Sequence, residues 1–408
     1  MNKITAHNSL WLLISILPLS LLLGSGVINT SVVIIDFVFI YILLKQKKNF
    51  FSNNLILYIL LLFWISLIIN LLFSSNFSNS FLRVFGFVRF VIFVLAIKFC
   101  LEEFSQRILK KIYLIWSIIF LAVSLDLIFE LTFGFNTLGN YSYMPGRLSS
   151  FLGEELKIGN WYIAFGLIVA SFMYYNFKKK YFFYSILIST IFISLVIGER
   201  ANFIKYFLIS SIFFILYENK LFLRKVFFTT MTIILLSGII FTSNTYKERF
   251  WYMFLNQFTQ GSSITTIINL SPYGGHWHAA WEIFLDHKIF GVGINNYRIV
   301  SGDNKYYNEK VPFSKGRQNI HPHQLYLEIL SETGIFGLVT FFLFIIGSAY
   351  AGIRNYLETK NLLILSGLLF VLTSTLLPLP SGSFFTTYGA TIFWINYSFM
   401  ISKKKLIL

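Results

Sequence analysis

The chain has 408 residues, of which 56% are hydrophobic and only 12% are charged. A soluble domain carries about 25% charged residues, so this composition excludes an ordinary soluble protein and indicates a membrane protein. The formal net charge of +16 does not mark a nucleic-acid binder, because Lys and Arg fall in short clusters between apolar runs, the pattern of a positive-inside bias. The single cysteine, Cys100, lies in an apolar run. It excludes an internal disulfide and a C-x-x-C motif, and it reads as a packed residue rather than a nucleophile.

A hydrocarbon core of about 30 Å needs roughly 20 apolar residues of helix. On that measure the chain holds about twelve spans, near 10–28, 31–44, 55–73, 84–101, 112–131, 159–176, 181–198, 202–217, 226–242, 335–353, 361–378 and 384–401. Lys3 precedes the first apolar run with no small-x-small cleavage site after it, so that run reads as a first span and not a removed signal peptide. The basic clusters are Lys45/Lys47/Lys48, Arg107/Lys110/Lys111, Lys178–Lys180, Lys220/Arg224/Lys225, Arg354/Lys360 and Lys403–Lys405. With twelve spans and both termini cytoplasmic, every cluster lands on the cytoplasmic side. The expectation is an all-α integral membrane protein, a single polytopic domain over 1–408, with a large outer loop at 243–334 between spans nine and ten.

The same topology places 74–83, 132–158, the turn 198–202 and 379–383 on the outer side with that loop. Segment 132–158 is too polar to cross lipid, and irregular backbone at membrane depth is tolerated only where it lines a cavity or meets water. Within the long loop, 256–275 is polar, 277–286 reads as an amphipathic helix, and Gly291-Val-Gly293 lacks the third glycine of a dinucleotide fingerprint and reads as a turn. The polar segment 302–319 leads to His321-Pro-His323. Pro322 suits the first turn of a helix, expected over 323–332, broken at Gly334 and restarting as the tenth span.

The outer segments carry Arg147, Arg200, Arg249, Arg298, Arg317 and five of the six histidines. Basic residues on the side that normally avoids them call for a bound anion. Arg200 lies in a turn between two apolar helices, where its planar guanidinium suits phosphate oxygens; the alternatives are interface anchoring or pairing with Glu199. His323 at a helix start would be kept neutral by the helix dipole, the form a general base requires; the alternative is a capping or packing histidine. Two His-x-His pairs, His276/His278 and His321/His323, with Glu282 or Asp286 could supply four zinc ligands. However, residues at i and i+2 diverge, so no metal is expected. Glu154 or Glu155 is expected to pair with an arginine across the cavity, and Glu332 through Gly337 to be a structural break.

The runs Gly291-Val-Gly-Ile-Asn-Asn-Tyr297 and His323-Gln-Leu-Tyr-Leu-Glu-Ile-Leu-Ser-Glu-Thr-Gly-Ile-Phe-Gly-Leu338 resemble the signature of the O-antigen ligase and O-antigen polymerase superfamily of bacterial inner-membrane glycosyltransferases. Gln324 stands where members usually have Asn. Ile197-Gly-Glu-Arg200-Ala resembles the family's Ser-Arg-Gly/Thr turn, with Glu199 in place of the small residue, and the stretch from Arg147 to Gly159 resembles its Arg-containing loop before the sixth span. The resemblance implies an inverting, cofactor-free and metal-independent transfer from a polyprenyl-diphosphate-linked oligosaccharide donor at the periplasmic face. It assigns Arg200 and His323 as catalytic, with Arg147, Arg249, Arg298, His321 and Arg317 as substrate-binding residues. The expected acceptor is a second lipid-linked glycan if the protein is a polymerase, or lipid A-core if it is a ligase; the polymerase is preferred on the strain-variable character of the loop and composition. Membrane lipids and a chain-length regulator protein are the further partners implied. The alternative from another class is a transporter or flippase for a lipid-linked sugar, which would place ionisable residues near mid-bilayer, whereas the mid-span segments here hold few, chiefly Asp36, Arg89 and Asp126.

Overall fold

A computed structural model of the chain describes residues 3–46, 55–153, 155–177, 180–217, 222–259 and 263–403. Glu154 and the basic residues Lys47, Lys48, Lys178, Lys179, Lys220, Lys404 and Lys405 lie outside the described residues. Among the described residues the fold is all-helical, with no strand. The helices run α1 Lys3–Ser15, α2 Leu17–Leu22, α3 Ser25–Gln46, α4 Leu55–Leu71, α5 Phe77–Gly86, α6 Val88–Glu103, α7 Gln106–Phe133, α8 Ile158–Phe177, α9 Lys180–Val196, α10 Arg200–Tyr217 and α11 Phe222–Thr242. After a long interval of short helices come α17 Leu325–Thr359, α18 Leu362–Leu376 and α19 Thr387–Met400; the interval holds α12 Asn244–Lys247, α13 Met253–Thr259, α14 Ile264–Leu270, α15 Gly274–Asp286 and α16 Tyr297–Val300.

Among the described residues seven helical segments, with α5 and α6 taken together as Phe77–Glu103, are long and apolar enough to cross a membrane, and three more apolar helices, Leu55–Leu71, Phe182–Val196 and Leu362–Leu376, are shorter. The expected first span 10–28 does not hold as one helix. The chain breaks at Ile16, where Pro18 sits in the first turn of α2, and again at Gly24, so the second long helix starts at Ser25. The span expected at 84–101 is likewise two helices meeting at Phe87, and Arg83 is a helical residue of α5 rather than a loop residue.

Contacts among the described residues mark two ends of the bundle. At one end His7 approaches Gln46 at 3.2 Å, Lys98 pairs with Glu102 at 2.6 Å, and the Lys403 amide donates to the same Glu102. At the other end Ser75 N–H donates to Val292 O, Leu148 N–H to Ile197 O and Ser381 N–H to His323 O, each near 3 Å. Between the ends, α6, α8, α18 and α19 form the centre, where Trp116, Trp161, Trp394 and Tyr397 are fully buried. Edge-on aromatic pairs such as Phe87–Trp394 and Phe384–Phe393 fill the space between helices.

The interval 243–324 is folded rather than an open polar loop. It has its own small core of Ala279, Ala280, Ile283, Val292, Tyr297 and Tyr306. Its glycine turn docks on the kink in α17: Val292 and Gly293 amides donate to Ser331 and Glu332 carbonyls, and Ile335 and Phe336 amides donate to Lys288 and Ile289 carbonyls. Gly334, at φ 64 and ψ −166 inside α17, opens the helix so that these bonds form. The expected break at Gly334 is therefore where it should be, and the Gly-x-Gly stretch is the turn that plugs it. Asn295 and Asn296 extend the dock to Ser74 on the α4–α5 connection and to Asn79 and Ser80 in the first turn of α5.

Candidate active site

The connections gathered at the second end enclose a cavity of about 1230 Å³. One wall is built from segment 134–157. Two buried carboxylates of α7 organise it. Asp126 accepts from Thr137 N–H at 2.8 Å and from the Ser150 hydroxyl, and Glu130 accepts from the Ser149 and Ser150 amides at 3.0 and 2.7 Å. Asp126 thus holds a loop in shape and is not a mid-bilayer relay. This segment abuts the turn at Gly198, whose φ of +77 and approach to Gly146 O leave no room for a Cβ.

Four charged side chains meet on that turn. Arg147 pairs with Glu199 at 3.4 Å and donates to Leu156 O, Arg200 Nη1 donates to the Arg249 carbonyl at 3.3 Å, and Arg249 Nε donates to Gly198 O at 2.6 Å. Arg200 is the first residue of α10 rather than part of a longer turn. Glu199 takes Arg147, and additionally the Gly159 amide at 2.9 Å; the pairing of Arg200 with Glu199 is not made. Burial pushes the Glu199 carboxyl up. Burial, Arg147 and Arg200 together push the Arg249 guanidinium down to about 10. Three guanidiniums and one carboxylate at this turn leave positive charge in excess.

The opposite wall carries the histidines. Gln324, not His323, is the N-cap of α17, its side chain accepting from Leu327 N–H at 2.7 Å. His323 precedes the cap in a left-handed conformation, φ 57, so the helix expected from 323 starts at Leu325 and Pro322 lies outside its first turn. That backbone turns the imidazole into a cluster. Its ring centroid is 4.3 Å from His321, 5.3 Å from His276 and 5.1 Å from Tyr273. The His321/His323 pair therefore converges, contrary to the expectation for i and i+2, whereas His276 and His278 diverge; His278 faces Asn308 and Glu282. Burial and then His321 and His276 lower the His323 pKa to about 3, and burial chiefly lowers that of His321 to about 4. The cause that favours a neutral imidazole at position 323 is exclusion from water rather than the helix dipole. Asn319 lies 3.3 Å from Nε2, and Ser381 O lies 3.3 Å from His321 Nε2.

Arg147, Arg200, Arg249, Arg298, His321 and His323 all line this one cavity. Arg317 does not. It is buried in the loop, where its guanidinium donates to the carbonyls of Gly302, Asp303 and Ser314, so the structure places it as a brace for 302–317. Glu155 pairs with Lys157 rather than with an arginine. Tyr273 and Trp277, parallel at 5.9 Å, line the cavity beside His323, and Tyr273 also acts electrostatically on Arg249. Neither was singled out in the sequence: Tyr273 lies in the polar segment 256–275, which gave no periodic signal, and Trp277 read only as the start of the amphipathic helix 277–286. Arg83 and Lys205 line the cavity too; one looked like a loop residue and the other like part of a span. Among the described residues, Arg147 Nε, Arg298 Nε, His321 Nδ1, Ser381 Oγ and Trp277 Nε1 are buried there with no hydrogen-bond partner, whereas buried polar atoms are normally satisfied.

Residues 183–342 match the family model described as O-antigen ligase. No curated protein matches the chain. The matched stretch runs from α9 past the kink at Gly334 and contains Arg200, Arg249, Arg298, His321 and His323. The chain is thus similar to that family over 183–342, a stretch that includes the runs 197–201, 291–297 and 323–338.

Proposed function

We propose that the protein is a polymerase-type glycosyltransferase of surface polysaccharide assembly that joins polyprenyl-diphosphate-linked oligosaccharides at the periplasmic face of the bacterial inner membrane. The observation that carries this proposal is a single cavity with an arginine cluster on one wall and a neutral histidine cluster on the other. The cavity lies at the end of the bundle away from the Lys98, Glu102 and Lys403 contacts. Counting α1 with α2, and α5 with α6, as single crossings gives about twelve spans. Both termini are then cytoplasmic and 243–334 is periplasmic, in keeping with the two ends of the bundle.

In this scheme the donor diphosphate occupies the Arg147, Arg200 and Arg249 wall. An acceptor hydroxyl attacks the anomeric carbon from the opposite face. The new C–O bond forms as the bond to the diphosphate breaks, inverting the centre, and the electron pair leaves with the diphosphate. The hydroxyl proton passes to His323. A base with so low a pKa is weak in the empty cavity, but a bound diphosphate favours the imidazolium and strengthens it as the substrate arrives. The arginines supply the positive charge that the leaving group requires. Tyr273 and Trp277, amphipathic and next to His323, present faces on which an acceptor sugar can lie.

A second proposal is favoured by the description of the matching family, O-antigen ligase: transfer of the glycan to lipid A-core by the same chemistry. The test is the lipopolysaccharide profile of a deletion strain. Single-repeat caps support the polymerase, bare core with accumulated lipid-linked polymer supports the ligase, and an unchanged profile refutes both. Asp126, one of the ionisable residues a flippase reading would draw on, is consumed in holding Thr137 and Ser150.

A further inference from the structure

Lys205 lies on the second turn of α10, in a helix apolar enough to span a membrane, and is only 6% exposed. It lines the cavity together with Ala201, one turn earlier on the same helix face. Among the described residues it makes no hydrogen bond and no ion pair. The acid acting on it is Glu199, whose oxygens are already taken by Arg147, the Gly159 amide and Asn202. An ionisable residue at membrane depth is costly and faces a partner or a water-filled cavity. Helical Cβ atoms tilt toward the N-terminus, so the lysine stem runs from the apolar level of α10 back toward the arginine wall.

Arg200 is five residues earlier, about 7 Å along the helix axis at 1.5 Å per residue. The cations lining the cavity are therefore spread along α10: Arg200 with Arg147 and Arg249 at its first turn, and Lys205 at its second. An anion carrying charge along that length reaches both turns, whereas a compact one is satisfied at the first. We infer that Lys205 is a diphosphate-binding residue that holds one phosphoryl group of an anionic ligand whose other phosphoryl group sits on the arginines. This deepens the functional proposal by giving its site a preference for diphosphate over monophosphate. The result does not depend on glycosyl transfer, because binding can be measured without any transfer: a protein that binds diphosphate through Lys205 but transfers no sugar would sustain the one and sink the other.

The experiment uses full-length protein in detergent, titrated calorimetrically with inorganic pyrophosphate and with orthophosphate at fixed salt. Wild type should bind pyrophosphate more tightly by about tenfold or more, the equivalent of one charge-assisted hydrogen bond of about 1.5 kcal/mol. Lys205→Met should abolish that preference while leaving orthophosphate binding in place, and Lys205→Arg should restore most of it. Should the Met variant fail to fold, amine-reactive labelling of the wild-type protein gives the answer. Pyrophosphate should protect Lys205, and orthophosphate should not. Equal affinity of wild type for the two anions, an undiminished preference in Lys205→Met, or labelling of Lys205 that ignores pyrophosphate would each overturn the inference.

Discussion

Arg249 offers the sharpest dissection of the arginine wall, because its side chain both ties and charges the site. Its Nε donates to Gly198 O at 2.6 Å, and its own carbonyl accepts from Arg200. Removing the charge-assisted bond to Gly198 costs about 1.5–3 kcal/mol of local order. Removing one electrostatic stabiliser of a leaving anion costs about 2.7–4 kcal/mol in the transition state. Against this, the empty site gains from relief of burial and of repulsion by Arg147 and Arg200, the causes that depress the Arg249 pKa to about 10. The loss should therefore appear in catalysis far more than in the stability of the unliganded protein. For Arg249→Ala, kcat/KM should fall by about 100- to 1000-fold, with a melting temperature close to wild type. Arg249→Lys keeps the charge but not the planar fork and should retain about a tenth of the activity. The assay is the initial rate with a lipid-linked oligosaccharide in detergent, alongside a thermal melt. Activity within twofold of wild type for Arg249→Ala, or a melting loss that accounts for the whole defect, would refute the assignment.

The low pKa values of His323 and His321, about 3 and about 4, set the pH dependence. Because burial depresses them, the neutral form persists far below the ordinary imidazole range, and protonation sets in only as pH falls toward those values. The acid limb of kcat/KM, which reports the free enzyme, should therefore lie below about pH 5, with the kcat limb higher once the diphosphate is bound; a kcat/KM limb at pH 6–7 would contradict the burial. Gly198→Ala adds a Cβ against Gly146 O at φ +77. The strain of about 1–3 kcal/mol should displace the Arg147 loop and lower activity at least tenfold, which a rate measurement on folded protein checks. Arg317→Met removes the donors to Gly302, Asp303 and Ser314. It should lower loop stability by about 2–3 kcal/mol, read as faster proteolysis within 302–319, while the KM for donor stays near wild type.

What could be read from the residues follows the reach of each signal. Apolar runs and basic clusters gave the alternation of the connections, and through it placed Arg147, Arg200, Arg249, Arg298, His321 and His323 at one end, where they share a cavity. Gly334 was legible as a break because a glycine interrupts an otherwise periodic run. Arg317 was misassigned because an arginine on the right face says nothing about whether its guanidinium is spent on loop carbonyls. Lys205 was passed over because a single lysine within an apolar run reads as part of a span, and only the packing shows it turned into the cavity. The folded state of 243–324 was hidden because its core is assembled from residues as far apart as Ala279 and Tyr306, with no local period to betray it.

Glycosyl transfer by the purified protein tests the central claim most directly. In detergent, with a polyprenyl-diphosphate-linked oligosaccharide and no membrane gradient, the wild-type protein should lengthen or transfer the glycan and release polyprenyl diphosphate. Arg200→Ala and His323→Ala should each remove that product while folding normally. Transfer at wild-type rates in either variant, or a wild-type protein that moves lipid-linked sugar across a bilayer yet forms no glycosidic bond, would contradict the account.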